Sequence, residues 1–203
     1  MMKSLLSKTA FAAAGIMLSS ATLAEDFSYT NISVAYVVAA DIGNEDYDGY
    51  RVTGRLALND ALFLQASHTS LESEDPLSIG GGLLTTQDVD TSSIGLGFHH
   101  SLSEEMDVVL SVGFMEADNF RDQAIVESDG FEVGVGARFA VNNRVEINGT
   151  LRHVSLDESD NTLFLADARY RLTKVISLGV GYDIDFESLG DNDQLSVDVR
   201  IDF

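Results

Sequence analysis

The chain has no cysteine, no tryptophan and a single proline among 203 residues. Without cysteine it has no disulfide to staple a small fold in an oxidising compartment, so its stability must come from another source. Proline is confined to loops and sheet edges, and the one present, Pro76, falls in an acidic stretch that reads as a loop. Basic residues are also scarce: 12 Lys and Arg against 33 Asp and Glu, a net charge of −21. Such a surface repels phosphate backbones, which excludes nucleic acid as a partner. After residue 24 no apolar run approaches the roughly 20 residues that a membrane-spanning helix needs.

The first 24 residues differ from the rest. Lys3 and Lys8 precede an apolar stretch from Ala10 to Leu18, and small residues follow up to Thr22-Leu23-Ala24. This is the layout of a secretory signal peptide cleaved before Glu25, and the apolar core is too short for a retained membrane helix. The expected mature chain, 25–203, is long enough for one domain. It holds ten basic and 33 acidic residues, a net charge of about −23.

What fills that chain is alternation. Leu195, Val197, Val199, Ile201 and Phe203 share one parity, and Ser196, Asp198, Arg200 and Asp202 the other, which is the period of a two-faced strand. Ten segments read this way, near 28–39, 49–58, 61–71, 91–101, 105–116, 130–141, 144–156, 162–172, 175–186 and 194–203. Each has about the length of a tilted transmembrane strand. The count falls to eight if the first or the eighth is misread. Links after odd-numbered segments are long and acidic, around 40–48, 72–90, 117–129, 157–161 and 187–193. Links after even-numbered ones are tight, centred on Asn59-Asp60, Ser103-Glu104, Asn142-Asn143 and Thr173-Lys174. Long loops on one side and short turns on the other are the asymmetry of a transmembrane barrel. The expected fold is therefore all-β, a single up-and-down antiparallel transmembrane β-barrel with both termini at the short-turn, periplasmic end.

The polar parity carries the charge. Of nine arginines, Arg51, Arg55, Arg138, Arg144, Arg152, Arg169, Arg171 and Arg200 share it, together with Glu132, Glu146, Asp167, Asp183, Asp185 and Asp198. On a soluble sandwich this would be an ordinary solvated face. In a barrel these side chains point inward and can pair, and arginine suits the task because its planar fork stays charged and holds carboxylates bidentately. Gly95, Gly97, Gly113, Gly134, Gly136, Gly179 and Gly181 share the inward parity and leave room, either for the arginines or for a channel. Tyr50, Phe114, Phe131, Phe164 and Phe186 lie outward toward the long loops, and Phe98, Phe139, Tyr170 and Phe203 outward toward the short turns. These are the two aromatic girdles that lipid interfaces favour, made here without tryptophan.

Twenty acids flank or occupy the five long links, opposed by Arg121 alone. They read as a solvated rim, or as carboxylates that recruit divalent cations bridging to anionic lipopolysaccharide. Asp46 and Asp48, in Asp46-Tyr47-Asp48-Gly49, look like a fragment of a calcium loop without the distal bidentate Glu. No cofactor is expected. The four histidines show no metal-ligand spacing. His153 and Ser155, two apart on the outward parity with Asp157 and Glu158 close behind, resemble the catalytic pair of the outer-membrane lipid A deacylases. There Asn follows the Ser, whereas Leu156 follows it here, and no enzyme activity is expected.

Three stretches carry a wider resemblance: Ser92-Ser-Ile-Gly-Leu-Gly-Phe-His-His-Ser-Leu-Ser103, Gly130-Phe-Glu-Val-Gly-Val-Gly-Ala-Arg138 and Asp198-Val-Arg-Ile-Asp-Phe203. Through them nearly all of the mature chain resembles the small outer-membrane β-barrel proteins of the OmpA-like and OmpX-like porin superfamily. The resemblance implies a monomeric barrel in the outer membrane of a Gram-negative bacterium, in contact with lipid and lipopolysaccharide. Its terminal strand, ending in Phe203, would be the signal to the barrel assembly machinery. The expected role is structural or cell-surface interaction with a lumen largely filled by charge. The alternatives are a narrow cation-leaning diffusion pore and, more remotely, a lipid A-modifying hydrolase.

Overall fold

β-branched and aromatic residues alternating with small or charged ones favour the pleated, two-faced backbone, and only closure of the sheet removes its exposed edges. The computed structural model describes residues 27–42, 45–74, 77–79, 83–85, 87–121, 124–157, 160–186 and 193–203. In chain order its strands are β1 (Asn31–Ile42), β2 (Glu45–Ala57), β3 (Leu62–Ser73), β4 (Leu77–Ile79), β5 (Leu83–Thr85), β6 (Asp88–Ser103), β7 (Met106–Arg121), β8 (Ala124–Ala140), β9 (Val145–Leu156), β10 (Asp160–Arg171), β11 (Ile176–Asp185) and β12 (Gln194–Asp202). Ten of them form a closed antiparallel barrel in sequential order, and β4 and β5 make a separate hairpin in the link between β3 and β6. The seam is β1 against β12, with Ile32 opposite Ile201 and Val34 opposite Val199. Residues 1–26, which include the expected signal peptide, and Pro76 lie outside the described residues.

The four short turns share one device, in which a side-chain oxygen at the start of the turn accepts backbone N–H groups just ahead. Asn59 Oδ1 accepts from Ala61 and Leu62, Asn142 Oδ1 from Arg144 and Val145, Thr173 Oγ1 from Val175 and Ile176, and Ser103 Oγ from Glu105. These local bonds stand in for the ladder bonds that a reversing chain loses, and they explain why Asn, Ser and Thr occupy these positions.

The distribution of polarity is inside out. Among the described residues 31 large hydrophobic side chains are exposed and only nine hydrophobic residues are buried, whereas 16 polar or charged residues are buried. No soluble domain keeps so large an apolar surface in water, so the band formed by residues such as Val34, Leu96, Val112, Val135, Ile147, Val180 and Val199 faces lipid. Phe131, 69% exposed, packs edge to face on Phe114 across the β7–β8 pair, with ring centroids 5.9 Å apart.

The strands run farther at the long-loop end than periodicity indicates. β1 and β2 consume most of 40–48, and β7 and β8 most of 117–129. β6, β7 and β8 hold 16 or 17 residues, about six more than a bilayer needs, so they project roughly 15 Å beyond it at the usual tilt. Toward the long-loop ends of the strands, on β1, β2 and β3 as well as on the long β6 and β7, the faces reverse. Val37, Ala40, Tyr47 and Leu71 point inward and form a buried apolar cluster joined by Ile42 and Val89, while Asp46, Asp48, Glu72, Asp88, Asp90, Glu116 and Asp118 take the outward parity. A bulge in β1 around Val38 supplies the change of phase that turns Ala40 inward. Because the stretches read as loops still alternate, they remain in the sheet. A second difference lies at the other end: residues 28–30 do not extend β1 but turn into the lumen.

Candidate functional site in the barrel lumen

The inward face of the ladder places side chains from distant strands at one level. Arg138 Nε and Nη2 both donate to Glu146 Oε1, at 3.1 and 2.9 Å, and Arg200 Nη2 donates to Oε2 of the same carboxylate at 3.3 Å. Arg200 Nε also lies 2.9 Å from Asp202. On the neighbouring wall Arg169 grips Asp198 as a fork, Nη1 to Oδ2 at 2.7 Å and Nη2 to Oδ1 at 3.2 Å. Ser33 adds a third bond to Asp198 at 2.6 Å, and Asp167 accepts from Asn148 at 3.0 Å and from Arg169 at 3.5 Å. Toward the projecting wall Arg51 bridges Asp183 at 2.9 Å and Gln194 at 2.6 Å, and Arg152 reaches Glu132 at 3.4 Å. Asp185 is 1% exposed, and its backbone N–H points to Asp193 Oδ1 at 3.4 Å.

The inward glycines make the room that these groups occupy. A Cβ on Gly179 would collide with Asp198 and lie 3.2 Å from Arg169 Cζ, one on Gly113 would meet Glu132 Oε1 at 2.9 Å, and one on Gly97 would collide with the Phe63 ring. At these three positions glycine makes room for charged and aromatic side chains. Arg55 takes no carboxylate within ion-pair distance among the described residues and lies over the Phe63 ring, 5.7 Å from its centroid.

Two arginines depart from the expected network. Arg144 belongs to the turn before β9, where period two no longer applies. Its side chain is exposed and donates to the Tyr170 hydroxyl at 3.1 Å on the lipid-facing side. Arg171, the last residue of β10, donates to the Asn143 carbonyl at 3.4 Å. Both serve the short-turn rim, because the lumen ends at their level.

The expected calcium-loop fragment is also corrected. Residues 46–49 are part of β2, so Asp46 and Asp48 project from a flat strand roughly 7 Å apart and cannot wrap an ion. The Asp48 carboxylate accepts a bond from the Tyr36 hydroxyl. No group of three or more ligand-type side chains suited to a metal occurs among the described residues. On the outer wall His153 shares a 3.1 Å hydrogen bond with Thr162, beside a shallow cleft walled by Val133, Val135 and Leu151.

Sequence reading missed the cluster at the short-turn mouth of the lumen. Asp107, 3% exposed, accepts from the Tyr29 hydroxyl at 2.9 Å and faces His99 at 3.6 Å. Tyr29 stacks on His99 with ring centroids 3.8 Å apart, and Arg138 lies 4.7 Å from the ring centroids of both Phe27 and Tyr29. Burial pushes the Tyr29 phenol up to about 12, against the pull of Arg138 and with the push of Asp107. The hydroxyl thus stays a proton donor at any physiological pH. The signal was present, since Asp107 shares the inward parity of Ser111 and Gly113 at the start of β7.

No family model and no curated protein matches the sequence. Among solved structures the fold is similar to the NanC porin, with 7% identity over 86% of this chain and 98% of that one and a TM-score of 0.50. It is also similar to the KdgM porin, with 10% identity, 84% and 99% coverage and a TM-score of 0.47, and to Ail of Yersinia pestis, with 14%, 85%, 99% and 0.42. The class that the fold defines is the small outer-membrane β-barrel, and ten strands are its size in this chain.

Proposed function

We propose that the protein is an integral outer-membrane barrel with a structural or cell-surface role, and that its lumen is sealed to solutes. The observation that carries this reading is the filling of the lumen at three levels. An aromatic and cationic cluster lies at the periplasmic mouth, paired charges occupy the middle, and the apolar cluster of Val37, Ala40, Tyr47 and Leu71 lies in the projecting wall. In a water-filled pore the lumenal charges would be wet, whereas Glu132 and Arg138 are each 3% exposed. Ten strands enclose little more width than the eight whose side chains just fill a barrel. Purified protein in a planar bilayer should therefore show no single-channel steps. Cation-selective steps would sink the sealed reading in favour of the narrow pore.

The proposed partners are lipid and lipopolysaccharide around the wall, and the barrel assembly machinery through β12 and Phe203, with the barrel acting as a monomer. Divalent cations are proposed at the rim on a specific observation. The outward acids face one another across strands: Asp41 opposite Asp46, Asp48 opposite Glu72, Glu72 opposite Asp88, Asp90 opposite Asp118, Glu116 opposite Asp129. Like charges directly across a ladder destabilise it, and counter-ions shared among them offset that cost.

A further inference from the structure

Among the described residues the short-turn end of the lumen is closed by a segment that is not a barrel strand, whereas the apolar cluster toward the long-loop end is built from strands. The apolar residues of the projecting wall belong to β1, β2 and β3 themselves, so parting them means parting strands. Residues 27–30 stand outside the ladder. Ser28 folds them into a turn of their own: its Oγ donates to the Thr30 carbonyl at 2.9 Å and accepts from the Thr30 N–H at 3.2 Å. To the barrel they are held by the Phe203 N–H on the Thr30 carbonyl at 2.9 Å and by Arg138 Nη1 on the Ser28 carbonyl at 3.1 Å. The other ties are the bond that Thr30 Oγ1 accepts from the Ala57 N–H, the bond that the Ser28 carbonyl accepts from Asn31 Nδ2 at 3.2 Å, the Tyr29 hydroxyl on Asp107, and the aromatic contacts of Phe27 and Tyr29.

We propose that Phe27–Thr30 is a displaceable strap over the periplasmic mouth, one that swings out of the lumen while the barrel stays folded. The polar groups beneath it keep partners in either position. Arg138 retains both bonds to Glu146 when Ser28 leaves, and Asp107, whose one hydrogen bond among the described residues is from Tyr29, is opened to water as the strap departs. Departure uncovers Phe63, which is fully buried, and the His99 ring on which Tyr29 lies. Two charge-assisted hydrogen bonds hold the strap, Tyr29 to the Asp107 carboxylate and the Arg138 guanidinium to the Ser28 carbonyl, and of these the phenol–carboxylate bond is the one a single conservative substitution removes. The strap gives the periplasm intermittent access to an aromatic and cationic pocket.

The absence of cysteine makes the test clean, since a single introduced thiol is the only reactive site. In folded, detergent-solubilised protein carrying His99→Cys, a small charged methanethiosulfonate should label position 99 slowly, in proportion to the open population. Tyr29→Phe, which removes only the Asp107 bond, should speed labelling on the order of 10- to 100-fold. Tyr29→Ala should speed it further. In both, the temperature at which the fast-migrating gel form is lost should stay within a few degrees of that of the parent. Equal labelling rates in all three proteins would overturn the strap, and so would labelling that rises only in step with loss of the folded form. The proposal rests on the sealed-lumen reading, but the two fail separately. Immediate labelling of the parent in a barrel that conducts nothing removes the strap alone, and channel steps remove the sealed reading.

Discussion

Glu146→Ala is the most demanding test of the lumenal network. Glu146 is 5% exposed and its carboxylate holds two buried guanidiniums, with Arg138 at 2.9 Å and Arg200 at 3.3 Å. Removing it leaves Arg200 with Asp202 at 2.9 Å, so that charge stays compensated. Arg138 keeps only the Ser28 carbonyl and two rings, none of which bears a full negative charge. Stranding one partner of a buried pair costs about 3–5 kcal/mol, and Arg138 should account for most of it. Glu72→Ala on the rim removes a carboxylate that faces Asp48 and Asp88 and should change stability by no more than about 0.5 kcal/mol. Urea unfolding in detergent micelles measures both, followed by circular dichroism because the chain has no tryptophan. An apolar triple replacement, Arg138→Met with Glu146→Leu and Arg200→Met, should recover most of the loss, since the penalty lies in the uncompensated charge. A Glu146→Ala variant within about 1 kcal/mol of the parent would refute the reasoning.

Gly179→Val should destabilise the barrel by about 1–3 kcal/mol through overpacking against Asp198 and Arg169. Gly149→Ala should be tolerated, because its new methyl meets only the Phe164 ring at 3.5 Å, and unfolding midpoints that fail to separate the two would contradict the packing role of the inward glycines. At the rim, millimolar calcium should slow proteolysis of 72–90 more than sodium at equal ionic strength, and equal protection would leave only charge screening.

The sequence alone determined everything that follows from period two. Alternation set the ten strands, put Arg138, Glu146, Arg169, Asp198 and Arg200 on one face, and left Val180 and Val199 to the lipid. Asn59, Asn142 and Thr173 marked the turns because their side chains replace lost ladder bonds locally. Parity names a face but no position around the barrel, so which acid each arginine meets was left to closure. Arg200 meets Glu146 from 54 residues away and Ser33 meets Asp198 from 165 away, distances that strand tilt and stagger convert into neighbours. Tertiary structure also decided where the strands end. Beyond the bilayer the solvent changes from lipid to water, so the same alternation continues with its faces exchanged, and the acidic links become sheet over an apolar core of Val37, Tyr47 and Leu71. It decided the closure at Tyr29 as well, since nothing local in Phe27–Thr30 announces Asp107, 78 residues on.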